Sequence, residues 1–443
     1  MVATAPSPRP LSGSRITRYL PFALMLAFIG LGNFSLLMDY NSTLYQYEDK
    51  NIIWQHHPLD LLWKSKNESL PESLSILFDF TKNFKPSDDH GEDITDFEAE
   101  KERCKRYGYK FANRTKRRRL FFGTLIAEDS WHPILAHAAE VKGLYHTAAF
   151  VETNKTTSSE EHLFRKWRFT PSSVELQALQ SGIFGPSTKV TVDYHIDDPK
   201  LRPTRNEYGL DVETLARRKI QKRWKENGMT EEDVGIVSDL DEFFSRDYLL
   251  AAMSCDIPVF RPGQDCRMPK IGSKTLIFET SPECVADERF WYHPDMIIGE
   301  CVESIGNETL HKSGLREWNG LGPRIEGYGL EPDDYSKMPN TTMYPLWNTA
   351  EIRDLAGGNQ ARMKPKEYYG FHLHNFFMSQ QEIRNKYRMY SHPDKNAYTV
   401  DFGYLNADTM MAYNCALDRP DNKTLKINGD NAVLRMIGGT CSV

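Results

Sequence analysis

Val234-Gly235-Ile236-Val237-Ser238-Asp239-Leu240-Asp241-Glu242 decides how this chain is read. A short apolar, β-branched run ends in three carboxylates, and a helix-like stretch over 245–253 follows. Such a run, bounded abruptly by polar residues, is the pattern of a strand buried on both faces. Side chains two apart on a strand share a face, so Asp239 and Asp241 reach its carboxyl end together. Open α/β sheets bind their ligands at that edge. Paired carboxylates repel one another and are best tolerated with a cation between them and something anionic. A divalent metal bridging to a diphosphate is the sharper reading of these residues. An exposed, acidic strand-to-helix loop is the plainer one.

Upstream, Leu120-Phe121-Phe122-Gly123-Thr124-Leu125-Ile126 is another continuous apolar run. Residues 131–142 have helical spacing through Ile134, Leu135, Ala138, Ala139 and Val141, and a second strand over 147–151 ends at Glu152. Strand, helix and strand in that order form a βαβ unit with parallel strands. A third strand is predicted over 190–194, and a long basic helix containing Arg217 and Arg218 over 212–227. This alternation predicts an α/β sheet with a nucleotide at its edge. No Gly-x-Gly-x-x-Gly follows the first strand and there is no Walker-type phosphate loop, so neither of those nucleotide folds is expected.

The 443 residues suffice for one large catalytic domain with appendages. A net charge of −6 gives no support for nucleic-acid binding. Residues 19–38 carry no charged side chain and as a helix extend roughly 30 Å, one hydrocarbon thickness. Arg9, Arg15 and Arg18 precede the run, while Asp39, Glu48 and Asp49 follow it, which keeps 1–18 in the cytosol and sends the rest to the lumen. The expected layout is a single-pass type II anchor. A cleaved signal peptide is the rival, against which Leu36-Leu37-Met38-Asp39 offers no small-x-small site. Past the anchor, glycosylation sequons start at Asn41, Asn67, Asn113, Asn154, Asn307, Asn340 and Asn422. The seven cysteines also lie past it, where disulfides persist. Cys255, Cys266, Cys284 and Cys301 lack any Cys-x-x-Cys spacing, so disulfides rather than zinc are expected there, with connectivity left open. Residues 39–116 are polar and interrupted by prolines and read as a luminal stem, with a short helix over 70–80. The Lys116-Arg117-Arg118-Arg119 run is expected to be a solvated lead-in to the head at 117–443, with proteolytic release as a second possibility.

Three stretches resemble the β-1,4-mannosyl-glycoprotein 4-β-N-acetylglucosaminyltransferase family, the bisecting N-acetylglucosamine transferases of glycosyltransferase family 17. Phe122-Gly123-Thr124-Leu125 through Val151-Glu152-Thr153-Asn154-Lys155-Thr156 is similar to the family's opening strand and Val-Glu-Ser/Thr-x-x-Thr segment. Arg217 to Ile220, followed by Ser238-Asp239-Leu240-Asp241-Glu242, resembles its Arg-x-x-Ile helix and Ser-Asp-x-Asp-Glu motif. Gly370-Phe371-His372-Leu373-His374-Asn375, with Lys386-Tyr387-Arg388 and Ser391-His392, is similar to its Gly-Trp-His-x-Ser segment. The resemblance spans roughly 119–401. Departures are Phe243-Phe244 for Ile-Pro, Phe371 for Trp, and an insertion over about 255–355 with no clear counterpart.

The resemblance implies a GT-A-type, Rossmann-like nucleotide-sugar-binding domain behind the anchor and stem, in the membrane of the Golgi or ER. It implies a UDP-N-acetylglucosamine donor, a glycan or glycoprotein acceptor, inversion at the anomeric carbon, and Mn²⁺ or Mg²⁺. Asp241, Asp239, His372 and His374 are the expected metal set, and Glu152, Arg217, Arg218 and Asp239 the expected donor contacts. Partly buried, hydrogen-bonded histidines and a surface-loop glutamate are the ordinary alternatives. An inverting transfer needs a general base, for which Asp295, Glu317 and Glu326 in the aromatic segment 290–328 are the candidates. The competing functions are a transferase for another UDP-sugar, and a membrane-anchored, calcium-dependent glycan-binding protein.

Overall fold

The apolar runs around Asp239 become the middle of a seven-stranded sheet. The computed structural model describes residues 72–86, 91–127, 131–156, 164–198, 211–263, 266, 269–272, 275–279, 293–307, 311–313, 344–354, 358–360 and 369–376. The expected anchor at 19–38, the first part of the stem, Glu317, Glu326 and the 386–392 stretch lie outside the described residues. Helices are α1 (Glu72–Asn83), α2 (Phe97–Arg106), α3 (Trp131–Val141), α4 (Val174–Leu179), α5 (Asp211–Glu226), α6 (Arg246–Ser254) and α7 (Thr349–Asp354). Strands are β1 (Lys110–Phe111), β2 (Leu120–Ile126), β3 (Tyr145–Thr153), β4 (Lys189–His195), β5 (Val234–Val237), β6 (Glu242–Phe244) and β7 (Cys255–Asp256). They continue with β8 (Lys270–Gly272), β9 (Thr275–Glu279), β10 (Asp295–Ile298), β11 (His311–Ser313), β12 (Tyr344–Leu346), β13 (Gly358–Gln360) and β14 (Gly370–His374).

The large sheet has the order β13-β8-β10-β5-β2-β3-β4. From β4 to β5 its strands are parallel, β10 runs antiparallel to both β5 and β8, and β13 is parallel to β8. The protein is thus a mixed α/β fold. The chain winds outward from β2 through β3 to β4, then crosses back to lay β5 on the other side of β2. This reversal of strand order lies beyond the carboxyl ends of β2 and β5, the position where α/β sheets take ligands in a crevice. Ser238 to Glu242 leave β5 directly at that position. Because β10 is antiparallel, its first residue, Asp295, pairs with Val237 at the same edge.

Two glycines let α5 lie close on the central strands. A Cβ on Gly235 meets the Trp224 ring at 2.4 Å, and one on Gly123 meets Ile220 Cγ2 at 2.0 Å. Trp224 is fully buried, and its indole nitrogen donates to the Phe122 carbonyl at 3.1 Å. Helix α3 is buried nearly all round, as a helix between two layers must be. Ile134, Leu135 and Ala138 face the large sheet's core, while Ala136 and Ala139 pack on a second, three-stranded sheet of order β6-β14-β9. In that small sheet Phe243, Leu276 and Phe371 sit side by side on the apolar face, with Phe278 and Leu373 beside them.

The structure corrects the reading of the stem's last part. Helix α2 is capped by Asp96, whose carboxylate accepts from the Glu98 and Ala99 amides. Its Cys104 is fully buried and disulfide-bonded to Cys255, so the folded head takes in sequence well before 117. The basic run is no solvated lead-in either. Arg117 pairs with Glu100 at 2.7 Å, both side chains 3% exposed or less. Arg118 donates to the carbonyls of Cys255 (3.0 Å) and Phe260 (3.3 Å). Buried this way, neither arginine is accessible to a protease in the folded chain. A second disulfide joins Cys266 and Cys301. Among the described residues no helix is long and apolar enough to cross a membrane.

Candidate functional site

Leaving β5, the chain makes a four-residue turn in which the Glu242 amide donates to the Asp239 carbonyl at 3.1 Å. The Glu242 carboxylate reaches back to accept from the Asp239 amide at 3.0 Å. Leu240 is buried and anchors the turn in the core, while Asp241 is partly exposed. From Glu242 the chain enters β6, where Glu242 lies directly opposite His372 on β14. The Leu373 amide donates to the Asp241 carbonyl at 2.8 Å, tying the two segments together.

The result is a cluster of three possible metal ligands, Asp241, Glu242 and His372, with one ligand atom of each within 4.8 Å of the others. His372 Nε2 stands 3.8 Å from an Asp241 carboxylate oxygen. Two hard oxygen donors and one imidazole fit a divalent cation such as Mn²⁺. The described structure does not bring Asp239 or His374 into this set. Asp239 is held on one side by Arg217 and on the other by Arg353 at 2.7 Å. His374, two residues along β14, lies with its ring tilted 58° to that of His372, 5.3 Å between centroids, and shares a hydrogen bond with Asn375. Glu242 takes the place expected of Asp239, because the turn rather than the strand's alternation sets which carboxylate faces His372.

Arg353 on α7 organises the turn. Its guanidinium donates to both Glu242 oxygens, at 2.8 and 2.9 Å, and to Asp239. Arg217 also binds Glu213, one helical turn back, and the Ser238 carbonyl. Burial raises the Asp239 carboxyl, but the charges of Arg353 and Arg217 more than offset it, so it sits below the usual carboxylate range. Glu242 is pushed well below that range for the same reason, with Arg353 as the dominant charge. Both carboxylates therefore stay ionised. Helix α7 is fixed over α5 by the Thr349 amide, which donates to Gln221 at 2.7 Å.

The other expected site residues are placed as follows. Asp295, fully buried at the same sheet edge, pairs with Lys270 at 3.3 Å and with His293 at 2.5 Å. Burial raises it, and the charges of Lys270, His293 and Arg353 with the His293 hydrogen bond together outweigh that, leaving it lowered. An ionised carboxylate so engaged is suited to holding the rim in place. Glu152 is buried at the end of β3, where its two oxygens accept from the backbone amides of Arg168 (2.6 Å) and Phe169 (3.1 Å). It shapes the loop after β3. Arg217 points into the site, whereas its neighbour Arg218 is exposed on the outer face of α5.

Sequence reasoning missed Arg353 and the ligand position of Glu242. Glu242 stood within the acidic motif; Arg353 lies 111 residues away with no local signal. Compared with known proteins, the chain matches no family profile and no curated protein.

Proposed function

We propose that the protein is a metal-dependent glycosyltransferase with a GT-A-type domain, moving N-acetylglucosamine from UDP to a glycan acceptor with inversion. The observation that carries this is the cluster of Asp241, Glu242 and His372 just beyond the carboxyl end of β5, in the parallel half of a mixed sheet and beside its reversal of strand order. The imidazole among the donors favours Mn²⁺ over Ca²⁺, which supports the transferase over the calcium-dependent glycan-binding alternative. The sequence likeness to the bisecting transferases suggests the donor, and a type II anchor in the Golgi or ER remains the proposed setting.

Asp241, Glu242 and His372 would hold the divalent ion, which when bound would supply Lewis-acid offset of charge on a UDP leaving group. The chain's own residues supply order. Arg217 and Arg353 fix Asp239 in its ionised form at the sheet edge, where its remaining lone pairs suit donor hydroxyls. Arg353 holds Glu242 in place beside Asp241, and Glu152 sets the loop after β3. For the acceptor proton, Glu317 and Glu326 are the proposed bases, while Asp295 serves the rim.

The test is thermal unfolding of the full chain with UDP plus Mn²⁺, UDP plus chelator, and Mn²⁺ alone. A ligand at a hundredfold excess over its Kd stabilises by about 2.7 kcal/mol. Stabilisation that needs both nucleotide and metal is expected; stabilisation by Ca²⁺ alone with no response to UDP overturns the assignment. A screen of UDP-sugars then names the donor. Asp241→Asn is expected to keep the fold and lose donor hydrolysis and transfer, and near-normal turnover removes it from the mechanism.

A further inference from the structure

Behind the acidic turn lies a buried histidine that the chemistry above does not use. His137 sits on α3 and is fully buried. Its Nδ1 lies 3.1 Å from the Leu240 carbonyl, the peptide oxygen between Asp239 and Asp241. Its Nε2 lies 2.9 Å from the Tyr145 hydroxyl at the start of β3. The imidazole ring stacks on Phe243, 4.8 Å between centroids and 15° from parallel.

These contacts fix every proton. A carbonyl oxygen only accepts, so Nδ1 carries the hydrogen and donates it to Leu240. A neutral ring then offers Nε2 as an acceptor, and the Tyr145 hydroxyl donates to it. Burial pushes the ring down to about 3, which keeps it neutral throughout the working pH range. Tyr145 in turn stacks on Phe122 at 5.0 Å, on the strand beside β5. The chain Tyr145 to His137 to Leu240 therefore runs from the rigid core sheet to the midpoint of the acidic turn.

We propose that His137, oriented by Tyr145, is a positioning residue that sets the angle at which Asp241 and Glu242 present their carboxylates to a divalent cation. Leu240 is the only residue between Asp239 and Asp241, so rotation of its peptide turns Asp241 directly. With the Leu240 carbonyl held, and Phe243 clamped by the same ring, the turn is gripped on both sides of Asp241 and Glu242. Partners of this kind, which orient ligands without touching the metal, change metal affinity by about 10–100-fold when replaced. The inference rests on the reading of Asp241, Glu242 and His372 as a metal site.

The experiment is titration of the full chain with Mn²⁺ in the presence of UDP, for the wild type and three variants. His137→Gln places its amide near the position of Nε2, losing the donor to Leu240; a fall in Mn²⁺ affinity of about tenfold or more is expected. His137→Asn places its amide nitrogen near Nδ1, keeps that donor, and is expected to bind within about threefold of wild type. Tyr145→Phe keeps the imidazole and its bond to Leu240 but removes the hydroxyl that orients Nε2, and a loss of several-fold is expected; it serves where His137→Gln does not fold. Equal Mn²⁺ affinity in the Gln, Asn and wild-type proteins, or no change in Tyr145→Phe, overturns the positioning role while leaving the metal site standing. A wild type that binds no Mn²⁺ overturns both together.

Discussion

Replacing Arg353 with alanine tests whether the acidic turn is held by charge. The substitution removes three hydrogen bonds at 2.7–2.9 Å and the nearest counter-charge to Glu242, whose side chain is 1% exposed. Asp239 keeps Arg217 and a third of its side-chain surface, so the cost falls chiefly on Glu242. Removing one member of a buried ion pair costs about 3–5 kcal/mol, because the partner's charge is left uncompensated. A cation at Asp241, Glu242 and His372 supplies positive charge to the same carboxylate. The difference from wild type is therefore expected to be about 3–5 kcal/mol in chelator and to shrink by about 1 kcal/mol or more in saturating Mn²⁺. Urea unfolding of both proteins under both conditions, read from the midpoints and slopes, measures it. Arg353→Lys, which keeps the charge without the two-pronged geometry, is expected to fall between them. A chelator difference below about 1 kcal/mol, or one that Mn²⁺ leaves unchanged, refutes the reasoning.

Gly235→Ala drives a methyl group into Trp224 and is expected to cost about 1–3 kcal/mol, measured by the same urea midpoint. Cys104→Ser with Cys255→Ser opens a loop spanning 151 residues, with an expected loss of up to about 5 kcal/mol; a non-reducing peptide map that fails to link these cysteines removes the basis for it. His137, lowered by burial from 6.5 to about 3, excludes a proton that the unfolded chain binds between those values. Stability is expected to rise with pH across that window by up to about 1.4 kcal/mol per unit, and to be flat above it for this group. His137→Asn is expected to show a shallower acid slope; an unchanged slope counts against the burial of a neutral ring.

The parallel half of the sheet was legible because β2, β3 and β5 are apolar on both faces over most of their length and the edge strand β4 alternates apolar Val190, Val192 and Tyr194 with polar residues. Runs 120–126, 147–151, 190–194 and 234–237 emerge as β2 to β5 within two residues at either end. The helices at 131–142 and 212–227 appear as α3 and α5. The second sheet was hidden: β6 has three residues and β9 and β14 five each, too few to show a period. Placing Glu242 rather than Asp239 beside His372 required knowing the turn, which depends on a hydrogen bond between Asp239 and Glu242 and on Arg353 far along the chain. The burial of Arg117 and Arg118 was missed because four adjacent basic residues look solvated until Glu100 and the carbonyls after α6 are brought to them.

On β14, Phe371 and Leu373 pack into the apolar face of the small sheet, while His372 between them faces the other way. Hydrophobic fit thus sets the register, and the donor atom is carried along as a passenger. An aspartate, asparagine or glutamine in that slot inherits the same backbone placement opposite Glu242. Ion preference can then drift between harder and softer cations by single exchanges at 372, without disturbing the architecture that presents it.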